Sequence, residues 1–461
     1  MYHIFNGCNS IRTFEISNLI LYKLKTPIRD LFGDLENNLV LKNMYEAIKK
    51  IKDEENIIKD IDFNIIMEVI IFPNIYSSTH VVSSFFDIKK ISKSNMYVDG
   101  EEVELNNEVN LETNKQHSIK VLLEGKLEDA SYLFNYCENR EIKFYKSLTE
   151  TKRRIFDKSN INKVNYMFHH TSNFTIDVSF FNTKNVLDME NMFAFARNSK
   201  FINIASLDTS SVTSMENMFL NYEGDSLDLS PLNISRVKSM NLMFSQAKLN
   251  YLKLPSCITG SLMNVHQMLS FTDIISLDLS SFNTSSLKSL KNLFYHSKLT
   301  SIDISHLDTS SIENMNSMFE GCQNLVSLDL SSFNMTNVDS VDSMFEGCIN
   351  LKNLKLWNSN ANSLSSIFRM FRNSGLESID LSTINAPNLI NMDQLFYKSI
   401  YLTSINFGNL YTCKIIKMSL AFSDCYSLTS LDISFFDTSK ITDMRYMFDN
   451  CRSLKNLKLY V

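Results

Sequence analysis

From about residue 119 to the end, the chain repeats one order of apolar and polar positions, seen clearly in "LVSLDLSSFNMTNVDSVDSMFEGC", residues 325–348. Leu325, Leu328, Leu330 and Phe333 spell L-x-x-L-x-L-x-x-F, with Ser327, Asp329 and Ser331 between them. Such alternation puts Leu328 and Leu330 on one face and the polar residues on the other, which predicts a short half-buried strand. Further on, Val338, Val341, Met344, Phe345 and Cys348 fall at relative positions 0, 3, 6, 7 and 10. At about 100° per residue these cover an arc of roughly 120°, one face of a predicted short helix. Each unit then reads as strand, turn and helix, with a Thr or Ser of "DTSSV" or "DTSKI" free to cap the first helical amides.

The pattern has a period. Taking the Phe of each "MF" as the mark, copies stand at Phe168, Phe193, Phe219, Phe244, Leu269, Phe294, Phe319, Phe345, Phe371, Phe396, Phe422 and Phe448, always 25 or 26 residues apart. An earlier Phe134 lies 34 before Phe168, and the excess fits an insertion at "LTETKRRIF". A unit this small cannot bury its own apolar face, so stacking must supply the missing burial and the strand partners. The predicted fold is an α/β solenoid with one continuous parallel sheet and a short helix per repeat. Its strands are expected near 142–144, 176–178, 202–204, 227–229 and onward to 457–459. Phe319, Cys322, Leu328, Leu330, Phe333, Met344, Phe345 and Cys348 are the predicted core, and the recurrent "SMFEGC" is read as a helix end plugging each layer.

Residues 1–16, "MYHIFNGCNSIRTFEI", are a repeat fragment, 17–117 break the period, and 118–461 hold about 13 repeats. Within 17–117, "NNLVLKNMYEAIKKIKDEENIIKDI" predicts a helix and "MEVIIFPNIY" a short buried strand. "NMYVDGEEVEL" places Asp99 and Gly100 in a tight hairpin turn. This stretch reads as a small α+β region ahead of the array.

At these residues the chain resembles a known family. "LVSLDLSSFNMTNVDSVDSMFEGC" and "LTSLDISFFDTSKITDMRYMFDNC" are similar to the BspA-like leucine-rich repeats in their 25–26-residue form, found in mycoplasma lipoproteins and in surface proteins of other bacteria and protists. The likeness covers about 119–461. It implies a curved, non-enzymatic leucine-rich-repeat scaffold exposed at a cell surface and serving adhesion or protein binding. The chain shows no signal peptide, lipobox, anchor or transmembrane helix, which leaves a cytoplasmic location as the alternative. A repeat fragment at Met1 and a strand at Val461 are expected of an incomplete gene product.

Net charge is -6, and both signs are mixed along the array, so no basic footprint for nucleic acid is present. The best apolar stretch is short and holds Glu68, which predicts no membrane insertion. The regular exposed feature is the strand centre, where Asp228, Asp278, Asp303, Asp329, Lys355, Asp380 and Asp432 are the candidate ligand-binding residues. Three readings stay open for them: a protein-binding stripe, a plain solvated face, or a cation ladder. Adjacent rungs about 4.8 Å apart put two Asp carboxylates in repulsion of roughly 0.9 kcal/mol even in water.

Six of the eight cysteines sit three places after the marker Phe, in a column otherwise filled by Thr, Ala and Ser apart from Tyr222, which predicts packed free thiols; rung spacing would also permit a Cys322–Cys348 bridge. No C-x-x-C, H-E-x-x-H, P-loop or G-x-S-x-G is present, and no cofactor or metal is expected. His169, His170, His266 and His296 read as solvated, and Glu216, Glu313 and Asp342 as outward helix positions. The sequons at Asn173, Asn233, Asn283 and Asn334 matter only on a secretory route. The expected function is a non-catalytic scaffold that recognises a protein or cell-surface ligand through its strand face. An intracellular interaction scaffold, or an enzyme with its chemistry in 17–117, are the alternatives.

Overall fold

A computed structural model describes residues 201–459 apart from 256–259 and 409, and ahead of them 65–71, 78–80, 93–98, 101–103, 108–110, 117–124, 129–135, 140–145, 161–172, 175–177 and 182–198. The helix expected at 37–61, the fragment 1–16, and Cys8, Cys137, Cys257 and Asn173 lie outside the described residues. The first strands are β1 Ile65–Ile71, β2 Ser78–His80, β3 Lys93–Val98, β4 Glu101–Val103, β5 Glu108–Asn110, β6 His117–Glu124 and β7 Arg140–Tyr145. Val98 pairs with Glu101, as the two-residue hairpin signal at Asp99-Gly100 requires. The repeat strands are β8 Thr175–Asp177, β9 Phe201–Asn203, β10 Ser226–Asp228, β11 Tyr251–Lys253, β12 Ser327–Asp329, β13 Asn353–Lys355, β14 Ser378–Asp380, β15 Ser404–Asn406, β16 Ser430–Ile433 and β17 Asn456–Leu459.

These strands build a β-solenoid whose sheet is not continuous. One seven-stranded sheet runs β4-β3-β6-β1-β7-β8-β9, antiparallel through β7 and parallel from β7 to β9. Strands β1, β3, β4 and β6 thus join the solenoid through β7, while β2 pairs with β5 apart; the expected boundary at 117/118 falls at the start of β6. Beyond β9 the parallel strands pair two by two: β10 with β11, β12 with β13, β14 with β15, β16 with β17. Between pairs, other columns carry the stacking. Single parallel bridges link Ser289, Asn314, Ser340, Ser366, Asn391, Lys417 and Asp443 in unbroken succession.

No α-helix is present among the described residues, so the predicted helix per repeat is corrected. Around Phe219 the backbone makes three overlapping β-turns instead. Met218, Leu220 and Tyr222 donate their amides to the carbonyls of Met215, Asn217 and Phe219, each three residues back. The alternate amides, of Asn217, Phe219 and Asn221, leave the rung and donate to Asn241, Met243 and Ser245 of the next one. A helix would need all of them four residues back along the chain. Asn217 and Asn221 have φ of 55° and 50°, the left-handed conformation that gives the first and third turns a type II pattern. In every fully described repeat the same two columns, two before and two after the marker, have positive φ. The apolar spacing 0, 3, 6, 7, 10 is real, but a turn ribbon satisfies it as well as a helix does.

The core follows the columns. Phe319, Cys322, Leu328, Leu330, Phe333, Met344, Phe345 and Cys348 are all buried. Marker rings stack nearly parallel from rung to rung, with centroids 5.3 Å apart for Phe294–Phe319 and 5.9 Å for both Phe319–Phe345 and Phe345–Phe371. Each such pair contributes about 0.5–1.5 kcal/mol beyond its buried area. Leu269 interrupts the stack. Thr209, expected as a helix cap, instead ties two rungs: its hydroxyl donates to the Asn233 carbonyl at 2.8 Å and accepts the Asn233 amide at 2.9 Å. Thr309 does the same with Asn334.

Candidate binding surface

On the strand face, Ser226–Asp228, Ser327–Asp329 and Ser378–Asp380 each present Ser-x-Asp with the two polar side chains exposed and the middle residue turned inward. Asp ends each of these straight segments for a local reason. Its carboxylate accepts the amide two residues on, at 2.8 Å for Asp228–Ser230, 2.8 Å for Asp278–Ser280, 3.0 Å for Asp303–Ser305 and 2.9 Å for Asp329–Ser331. This side-chain turn releases the chain from the straight segment. The hydrogen bonds also favour the ionised form: Ser331, with Lys355 next, lowers Asp329 to about 2, and the Ser280 and Ser305 bonds lower Asp278 and Asp303. The sequons share this geometry, because Asn233, Asn283 and Asn334 accept the amides of Ser235, Ser285 and Thr336.

The candidate stripe divides by partner. Asp228 pairs with Lys253 at 3.7 Å, Asp329 with Lys355 at 2.9 Å and Asp432 with Lys458 at 3.1 Å, while Asp380 accepts from Asn406 at 3.1 Å. In each case the next rung supplies the partner. For Asp278 the next rung holds Asp303, and for Asp303 it holds Asp329. Among the described residues neither Asp278 nor Asp303 has an ion pair within 4.0 Å.

Over these rungs lies an open groove of about 1240 Å³, running from Tyr251 and Lys253 past Ser276, Asp278, Ser301 and Asp303 to Asp329 and Lys355. Four of the seven candidate residues, Asp278, Asp303, Asp329 and Lys355, line it; Asp228, Asp380 and Asp432 do not. Tyr251, 55% exposed, is a lining residue that the polar-column reading passed over. Its sign in the sequence is an aromatic ring where most rungs carry Ser. No group of three His, Cys, Asp or Glu among the described residues is placed to hold a metal ion.

Elsewhere, titratable groups serve the scaffold. The Cys322 and Cys348 thiols donate to the Phe294 and Phe319 carbonyls at 3.0 and 3.1 Å and remain free, not bridged. Burial pushes Cys322 up to about 11 and Cys348 well above the ordinary thiol value. Asp342 and Glu216 are not outward helix positions. Asp342 accepts the Phe368 amide at 2.9 Å, and Glu216 accepts from Asn241 at 3.2 Å, so both hold the next rung. His266 is exposed, whereas His169 is half-buried, which with His170 beside it lowers its imidazole to about 4. His170 and His296 stack on Phe195 and Phe271.

The sequence profile of the family described as "Mycoplasma protein of unknown function, DUF285" matches residues 128–256, 263–375 and 362–460. The chain belongs to that family. The DUF285 match spans the solenoid, and its division at 256/263 falls on the approach to the Leu269 rung. Among solved structures, a leucine-rich repeat protein from Bacteroides ovatus ATCC 8483 is similar at 17% identity over 62% of this chain and 72% of that one, with a TM-score of 0.29. No curated protein matches the chain. No helix among the described residues is long and apolar enough to cross a membrane.

Proposed function

We propose that this DUF285 chain is a non-catalytic scaffold that recognises a protein partner at a cell surface through its strand face, as a member of the BspA-like, 25–26-residue repeat type. The observation that carries the reading is the groove over the Asp278 and Asp303 rungs, where two exposed carboxylates lack the cross-rung partner that Asp228, Asp329, Asp380 and Asp432 have. Exposed polar side chains at rung spacing let a partner make many contacts at once. The buried thiols of Cys322, Cys348 and Cys425 donate to carbonyls of neighbouring rungs, which leaves them no catalytic part in this reading.

The test is capture by the immobilised chain from detergent extracts of surface-labelled cells. Asp278→Asn with Asp303→Asn should cut retention of the captured partner at least tenfold, with the unfolding midpoint nearly unchanged, because Asn keeps an oxygen for the Ser280 and Ser305 amides and exposed substitutions alter stability little. The proper control is the exposed pair Glu313→Lys with Asp339→Lys, on the turn side of the rungs. Loss of capture in that control, with the groove variant binding normally, would move the recognition surface away from the strands.

A further inference from the structure

The groove coincides with a lapse in the solenoid's own pairing. Strands pair at β10–β11 and again at β12–β13, but the two rungs between, at 276–278 and 301–303, form no strand. Backbone amides and carbonyls of Ser276, Leu277, Asp278, Ser301, Ile302 and Asp303 enter no hydrogen bond with described residues. Neighbouring contacts still hold the rungs together, with the Thr300 amide on the Ile275 carbonyl at 3.0 Å and His306 Nε2 on the Leu279 carbonyl at 2.6 Å. The rungs therefore stay stacked and no extra strand fits between them. Three features meet at the groove: two carboxylates with no ion pair within 4.0 Å and only the His306 imidazole acting on them as a basic neighbour, backbone groups of the same rungs outside any hydrogen bond with described residues, and the exposed Tyr251 ring at one end.

One chemical group answers all three. A guanidinium is planar, always charged and carries five donors, so it can serve a carboxylate and a carbonyl together and stack on an aromatic ring. An ammonium is a point charge and does only the first of these well. We propose that the groove seats an extended, arginine-bearing segment of the partner protein, with guanidinium groups lying across Asp278 and Asp303. The proposal rests on the recognition role assigned to this face and names its partner's chemistry. Lys253 and Lys355, each engaged with an Asp, bound the acidic stretch and confine the cationic part of the ligand to these rungs. Alternate side chains of an extended peptide recur about every 6.8 Å, and flexible arginine arms span the difference from rungs about 4.8 Å apart.

The test uses the full chain and three labelled, end-blocked pentapeptides, Gly-Arg-Gly-Arg-Gly and its Lys and Glu counterparts, read by fluorescence anisotropy. The Arg probe should bind saturably and more tightly than the Lys probe, and the Glu probe should not bind. Asp278→Asn with Asp303→Asn removes both charges yet keeps an oxygen for the Ser280 and Ser305 amides, so folding is preserved and affinity for the Arg probe should fall at least tenfold. Glu313→Gln with Asp339→Asn should leave it unchanged. Absence of saturable Arg binding, equal binding of the Lys probe, binding of the Glu probe, or equal loss in the control pair would overturn the assignment. If partner capture depends on the groove while the Arg probe does not bind, strand-face recognition stands and the arginine assignment falls.

Discussion

The aspartates of the strand column do two jobs that a sequence shows unequally. Their exposure was legible from alternation, since Ser327, Asp329 and Ser331 face away from Leu328 and Leu330. Their role in ending the strand was not, although the D-x-S spacing of "LDLSSF" is the spacing at which a carboxylate reaches the amide two residues on. Partnering was legible only by comparing rungs: a Lys one period after an Asp marks a pair, and three Asp in succession leave two without one. The small-residue column was also readable, and it carries a test. Cys322, Cys348 and Cys425 are buried with thiols held above the ordinary value, whereas Cys413 is exposed. A thiol reagent at pH 8 should label Cys413 in the native protein within minutes and the other three only after denaturation, with mass mapping as the readout. Labelling of Cys322 or Cys348 at the rate of Cys413 would show that the column is not packed.

At the scale of the element, the short helix was the largest misreading, and its cause is specific. Apolar spacing reports which residues face inward, not which carbonyl each amide finds. The turn ribbon sends alternate amides to the next rung, an option open only to a chain with a neighbour already stacked on it. Its local sign was only partial: the left-handed columns hold Asn191, Asn217, Asn221, Asn292, Gly321, Gly347, Asn373, Asp424 and Asn450, residue types that tolerate positive φ, but also Phe195, Leu242 and Arg369, which do not favour it. Gly347, at φ 72°, has nothing closer than 3.6 Å to an added Cβ, so Gly347→Ala should cost only the conformational strain, roughly 1 kcal/mol. In Gly321→Ala the new methyl would also press on the His296 ring, and the loss should be larger. Asn373→Gly should be tolerated and Asn373→Val should cost about 1–2 kcal/mol. Urea unfolding of these four variants measures the order. Equal stability of Asn373→Val and the parent would remove the turn account.

For the whole molecule, the period and the stacked core were readable from residue 134 onward because identical columns must meet in a solenoid. The interruption was not, since it arises where several weak departures share one level: Leu269 in place of a ring, the end of β11 at Lys253, and the missing bridge between Asn264 and Ser289. That level is also where the groove opens, so the least regular part of the array is the part assigned to recognition. Carboxyl footprinting of the chain with and without its captured partner addresses this assignment most directly, using carbodiimide labelling read peptide by peptide. Protection of Asp278 and Asp303, with Glu313 and Asp339 labelled as before, is the predicted result. Undiminished labelling of Asp278 and Asp303 alongside protection of Glu313 and Asp339 would contradict it and place the partner on the turn side of the solenoid.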